Sequence, residues 1–325
     1  LIGELSKRAE GLVKYKPYVN MLINGYRKAY EIALKRLREI SRPLEIENKK
    51  MLKKIAVRML DTRNLGMATE HLADLAVEAI YAIAEYRNGK MVIDKENIQI
   101  IKKVGKSLLE SELIKGVVIN RKVVHSSMPK RVKNARIAVL DMALKIDEFK
   151  HLQPIKQEIV IRDAPLVKQF LDQETKLVGD MINKVLSVNA NVVLCRKKIG
   201  KRARYLLAKA GVMAAQRILK QEEIRRVAMA TGANIVADLD DLTEEDLGKA
   251  SLVEEAQIGG DRMIVIRDCE KAKAVAILLR AGLERQLEEA EHALNDVITG
   301  LISLIDCPRY IPGGGATEEE LSIAI

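Results

Sequence analysis

The sequence predicts a mixed α/β, multidomain fold. Three observations point there: helical periodicity near both ends, short β-branched runs in the middle, and an alternation of strand and helix after them. Taken in order, Tyr26, Tyr30, Ala33, Leu37 and Ile40 keep helical spacing and read as one buried stripe closed by Pro43. A second stripe, Leu72, Leu75, Ala79, Ile83 and Tyr86, is expected to end at Asn88-Gly89. Strands are expected at Ile98–Ile101, Val117–Ile119, Ile137–Leu140 and Ile159–Ile161, where β-branched residues cluster between turn residues. After Pro165 comes a long amphipathic helix with Phe170, Leu171, Val178 and Ile182. The alternation follows: strand Val192–Cys195, a helix through Tyr205 and Leu207, strand Val212–Ala215, a helix through Ile224 and Val227, and strand Ile235–Ala237. Thr243 and Asp246 have capping-box spacing, so a helical turn should start there. Strands at Met263–Ile266 and Val275–Leu279 precede a last long helix with Leu283, Leu287, Ala290, Leu294, Ile298 and Leu301 on one face. Helical, then α/β, then helical again suggests an α/β domain inserted within a helical one.

Composition narrows the function classes. The chain has 325 residues, enough for two or three domains, and 48% of them are hydrophobic. No apolar run reaches the length of a membrane span and no signal-peptide pattern is present, so the expected compartment is the cytoplasm. Cys195, Cys269 and Cys307 are widely spaced and form neither a disulfide framework nor a zinc pattern, as in a reducing interior. The net charge of +10 raises nucleic acid as a partner. The excess sits almost wholly in residues 1–60, with 15 Lys/Arg against 6 Asp/Glu, and aromatics for base stacking are only 3% of the chain. Nucleic-acid binding is therefore not expected as the main role.

Few residues offer chemistry by themselves. Walker A, GxGxxG, HExxH and GxSxG motifs are missing, and His71, His125, His151 and His292 lie far apart, which fits surface or capping roles better than a metal site. Gly313, Gly314 and Gly315 could let backbone amides approach a nucleotide, or could form a plain loop. Asp296 lies on a polar helix stripe with Arg285, Glu289 and His292; such a carboxylate orients water for phosphoryl transfer or is simply solvated. The basic run at 196–204 runs into Tyr205, Leu206 and Leu207, and reads as a solvated helix face or as the rim of a surface that grips extended chains.

Five blocks, in order, resemble the group II chaperonins of thermosome type. They are ELIKGVVINRKVVHSSMPKRVKNARIAVLD (112–141), RDAPLVKQFLDQETKL (162–177), TGANIVADLDDLTEEDLGKASLVEE (231–255), AVAILLRAGLERQLEEAEHALNDV (274–297) and IPGGGATEEE (311–320). The resemblance implies an ATP-dependent subunit that encloses and folds non-native polypeptides in a double ring of identical or paralogous subunits, with ATP and Mg2+ as cofactors. By position, Asp296 matches the aspartate that places the hydrolytic water, Gly313, Gly314 and Gly315 the glycines of the nucleotide pocket, and Lys102 a lysine in the loop that senses the γ-phosphate. Substrate chains would meet Tyr205 and Leu207 on an apical helix, and Leu166 and Phe170 on a helical protrusion. No metal ligand is assigned within this sequence.

The implied domains are equatorial 1–60, intermediate 61–115, apical 116–270 with a helical protrusion near 145–185, intermediate 271–308 and equatorial 309–325. The sequence departs from the family pattern at Gly105-Lys106, where Gly-Gly is usual, at Ser126-Ser127, at His292-Ala293, and in the strongly basic run at 196–204. The phosphate loop GDGTT, with its magnesium-binding aspartate, would precede Leu1 and further equatorial helices would follow Ile325. The expectation is thus a partial or truncated subunit, inactive in hydrolysis if these residues are all there is. The alternative function is an ATP-independent holder of unfolded chains.

Overall fold

The computed structural model describes residues 2–13, 18–61, 63, 65–145, 164–269 and 272–325. From the start of the chain come α1 (Ile2–Val13), α2 (Tyr18–Ile40), β1 (Arg42–Pro43), α3 (Lys49–Leu60), α4 (Thr69–Ile83), β2 (Glu85–Arg87), β3 (Lys90–Val92) and β4 (Ile98–Val104). The middle holds β5 (Glu112–Ile114), β6 (Val117–Ile119), β7 (Arg131–Leu140), α5 (Ala164–Ser187), β8 (Val192–Cys195), α6 (Lys201–Lys209), β9 (Met213–Ala215), α7 (Gln221–Thr231) and β10 (Ile235–Val236). The remainder is β11 (Gly248–Ile258), β12 (Asp261–Arg267), β13 (Val275–Ala281), α8 (Glu284–Asp306), β14 (Arg309–Tyr310) and α9 (Ala316–Ala324). The chain divides into two compact units, residues 1–48 with 303–325, and residues 49–302. Helix α3 belongs to the second of these units: it packs on α4, and Lys53 pairs with Asp74 at 2.7 Å.

In the first unit α2 packs on α1 and α9. A two-stranded ribbon pairs Arg42 with Tyr310 and Pro43 with Arg309. The Arg309 guanidinium donates to the carbonyls of Arg38 and Ser41 at 3.0 and 2.9 Å, satisfying acceptors that the end of α2 leaves open. The stripe read as buried is not buried here: Tyr26 is 40% exposed and Tyr30 64%. The short α1 and α9 cannot cover all sides of a 23-residue helix, and Tyr26 instead uses its hydroxyl, donating to the Leu5 carbonyl at 3.0 Å.

The second unit is built on a seven-stranded mixed sheet in the order β6-β12-β11-β7-β8-β9, with β10 also paired to β7. Strand β7 does two jobs. Its first half pairs antiparallel with β11, and its last residues pair in parallel with β8 and β10. All four residues of β8 and the last four of β7 are buried, as expected where helices cover both faces of a parallel region. On α5, Val178, Ile182 and Val185 follow helical spacing and are at most 3% exposed. Each such buried aliphatic contributes roughly 1.5–3 kcal/mol. A smaller sheet, β4-β13-β5, has β13 central, parallel to β4 and antiparallel to β5. A second cluster containing Ile101, Ile114, Val118, Ile258, Met263 and Val265 joins the two sheets.

Most predicted strands and helices form as read, but the differences are instructive. Asn88-Gly89 does not end a helix: α4 stops at Ile83, and both residues have positive φ (52° and 76°) in the turn joining β2 to β3. Tyr86 accordingly lies on the hairpin, 67% exposed. Leu283 precedes α8 and is 63% exposed. The 11-residue β11 had no counterpart in the sequence reading, because its exposed and buried residues mix without clean alternation. Helix α3 was likewise unread. The expected strand Ile159–Ile161 lies outside the described residues. The Thr243–Asp246 capping box forms, as read, around a single 3-10 turn.

Two predictions follow from this packing. Gly116→Ala should cost more than about 2 kcal/mol in thermal unfolding, because a Cβ there would run into the Ile266 carbonyl, a backbone atom that cannot swing aside. The Asp246 carboxyl is held below its ordinary range, first by the Thr243 hydroxyl, then by the Asn234 amide and the Thr243 N–H. Because its folded pKa is depressed, its stabilisation is complete above about pH 4 and is lost as pH falls through the folded value. Asp246→Asn should therefore flatten the acid limb of a pH-dependent melting series.

Candidate functional site

Strand β4 carries two adjacent lysines, and the pleat sends neighbouring side chains to opposite faces. Lys102 Nζ pairs with Glu291 Oε2 of α8 at 2.7 Å, while Lys103 pairs with Asp261 at the start of β12. The hydrogen bond it donates to Glu291, with the charges of Glu291, Glu288 and Glu284 along the same face of α8, holds the Lys102 ammonium above its ordinary range against partial desolvation. Lys102 thus stays charged throughout the physiological range, and a phosphate would have to share it with Glu291. The structure corrects one expectation: Lys102 lies within the strand, in register with Leu279, and the loop proper begins at Gly105.

Asp296 lies about one turn from His292 and two from Glu289 along the polar side of α8 and is exposed. Its Oδ2 accepts from the Arg63 guanidinium, while Leu294, Val297 and Ile298 on the opposite side are buried. Lys102 and Arg63 therefore meet the same helix but take partners from different rows of it, Glu291 and Asp296. An exposed carboxylate paired with arginine can still accept from a water and gains little stability from the pair. Sequence reasoning missed Arg63 and Glu291. The Glu284, Glu288, Glu291 spacing was visible as an acidic helix face, but its lysine partner lies on a distant strand.

The glycine triplet belongs to the first unit, between β14 and α9. Gly314 and Gly315 have φ of +72° and +84°, and Gly315 caps α9. A Cβ at any of the three would meet nothing within 4 Å, so it is backbone conformation at Gly314 and Gly315, not crowding, that calls for glycine. Among the described residues no group of three His, Cys, Asp or Glu side chains gathers to hold a metal. Burial pushes the Cys195 thiol up to about 11 and the Cys269 thiol up to about 12, so neither is a nucleophile at neutral pH.

On α6 the two residues read as a client surface separate. Tyr205 is 60% exposed, but Leu207 is fully buried in the core of the large sheet and is withdrawn as a contact residue. Residues two apart on a helix point to opposite sides, so they cannot share a face. Leu166 and Phe170 belong to the backbone of α5, but their side chains lie outside the described residues. Within the basic run, Arg196 grips both oxygens of Asp141 at 2.9 and 2.8 Å, and Arg204 Nε donates to the Ile199 carbonyl at 3.0 Å. Lys197, Lys198, Lys201 and Arg202 remain exposed.

A seven-stranded mixed sheet flanked by helices, joined to a smaller sheet and followed by a long helix, makes this a mixed α/β, multidomain fold. Residues 1–325 match the TCP-1/cpn60 chaperonin family, and the chain belongs to that family. It is 40% identical over 320 residues to the thermosome subunit beta of Sulfolobus acidocaldarius, covering 98% of this chain and 57% of that one. It is 41% identical over 322 residues to the thermosome subunit beta of Desulfurococcus mucosus, covering 99% and 63%. The chain thus spans about three-fifths of the length of these curated relatives. Among solved structures it resembles the open-state monomer of a group II chaperonin from Methanococcoides burtonii, with TM-score 0.70 and 33% identity over 99% of this chain and 73% of that one.

The burial contrast on α6 is directly testable. Leu207→Ala should cost about 2–5 kcal/mol of unfolding free energy, whereas Tyr205→Ser should change it by less than about 0.5 kcal/mol. Chemical denaturation of the two variants checks both values.

Proposed function

We propose that this chain is the central part of an ATP-dependent chaperonin subunit that encloses and folds non-native polypeptides within a double ring of identical or paralogous subunits in the cytoplasm. Membership of the chaperonin family over the whole chain supports the reading. The observation that carries it is the dual loading of α8: one row of carboxylates binds Lys102 of β4, and the adjacent row presents Asp296 to solvent beside Arg63. In this reading Asp296 orients the water that attacks the γ-phosphate, and Lys102 answers to that phosphate by exchanging Glu291 for it. Gly313, Gly314 and Gly315 would offer backbone amides to the nucleotide. Magnesium would supply charge neutralisation on the phosphates, and no residue of this chain is assigned to it. No helix among the described residues is long and apolar enough to cross a membrane.

The domain reading accompanies the function: equatorial 1–60 and 309–325, intermediate 61–115 and 271–308, and apical 116–270. Tyr205 is the contact residue retained for substrate chains. Leu166 and Phe170 stay in the proposal on their position in the protrusion segment.

In the full-length subunit, Asp296→Ala should lower ATP turnover at least about a hundredfold while leaving nucleotide affinity within threefold, as expected for a group acting mainly in the transition state. Steady-state hydrolysis with a parallel binding titration checks this. Unchanged turnover would remove Asp296 from the mechanism. Suppression of client aggregation with no response to ATP would replace the folding cycle with passive holding.

A further inference from the structure

Strand β13 reads VAILLRA and is buried along its whole length, yet it contains an arginine. Arg280 is 8% exposed, and a guanidinium so placed must be hydrogen-bonded to be tolerated. Its Nε donates to the Gly105 carbonyl at 3.1 Å. Its backbone N–H donates to Ser111 Oγ at 3.1 Å, and Ser111 is itself buried. The N–H of Gly105 in turn donates to the Ala281 carbonyl at 2.9 Å. Two consecutive residues of β13 therefore hold both ends of the turn that follows Lys102 and Lys103.

The turn needs such ties. Gly105 and Lys106 have φ of +99° and +71°, and a lysine in that region is strained. Ser107 caps a 3-10 turn over Leu108–Glu110, and the Glu110 carboxylate accepts the Ser107 N–H at 2.9 Å and pairs with Lys106 at 3.4 Å. That hydrogen bond, then the Lys106 ammonium and, more weakly, the charge of Arg280, hold the Glu110 carboxyl below its ordinary range. Arg280 is also in register with Lys103, and β13 runs through Gly282 and Leu283 into α8, which bears Glu291 and Asp296.

We infer that Arg280 is a positioning residue: it fixes the 105–111 turn to the strand that feeds α8, so that the turn and Lys102 together distinguish a nucleotide triphosphate from a diphosphate. The inference rests on the phosphate-sensing reading of Lys102. The Nε–H donated to the Gly105 carbonyl makes the side chain of Arg280 a direct tie to this turn. Lysine in its place keeps the charge and most of the volume but lacks the guanidinium geometry.

The test uses the full-length assembled subunit with Arg280→Lys, Arg280→Met and, separately, Lys102→Met. ATP and ADP affinities, melting temperature and amide exchange over residues 105–111 are measured for each. Arg280→Lys is expected to lower the ATP-to-ADP affinity ratio at least about fivefold while ADP affinity stays within twofold. Exchange over 105–111 should rise about tenfold without a comparable rise elsewhere. An unchanged ratio in folded Arg280→Lys overturns the proposal, as does a parallel loss of ATP affinity, ADP affinity and melting temperature. Should Arg280→Met fail to fold, the lysine variant decides. If the parent protein binds ATP and ADP equally, or Lys102→Met leaves the ratio unchanged, the phosphate-sensing reading itself fails and Arg280 falls with it.

Discussion

The parallel pairing of Ile98–Val104 with Val275–Ala281 is the constraint on which the second unit depends. All of residues 105–274 lie between these strands, so their pairing closes a very long loop. Closure entropy rises only slowly with length, but it must be offset by contacts formed late. The offset is visible in the buried β13 and in the cluster that joins Ile101 and Ile114 of the small sheet to Ile258 and Met263 of the large one. The inserted sheet is thus anchored at its base by apolar packing as well as by chain continuity.

The same pairing organises the charges. Strand β4 is only partly buried, and its two lysines leave opposite faces toward α8 and toward the turn before β12. One strand therefore carries a charge contact on each of its faces. These ion pairs are partly exposed and contribute little to stability. The lasting stability comes from the apolar layers, where Ile137, Leu194 and Val227 are fully buried.

Periodicity served well where one physical cause dominated. Continuous β-branched runs such as Val192–Cys195 form strands because both faces are covered, and the Val178, Ile182 stripe forms a helix face against the sheet. It served badly where local signals have two uses. Asn-Gly stops helices and turns hairpins alike, and only the pairing of Glu85 with Val92 selects the second use. An amphipathic stripe such as Tyr26–Tyr30 says which face is apolar, not whether anything packs on it. In the candidate site, Leu207 failed for a geometric reason legible in principle, since it lies two residues from Tyr205 on one helix.

The sequence by itself determined the α/β class, the chaperonin family, and the residue types available for phosphate chemistry, because these depend on local patterns and ordered motifs. Only the tertiary structure decided that Glu291 meets Lys102, that Arg63 meets Asp296, and that Arg280 holds the turn at Gly105. The physical reason is distance along the chain. Each of these contacts joins residues far apart in sequence, and no propensity, spacing or cap encodes which strand a helix face will find.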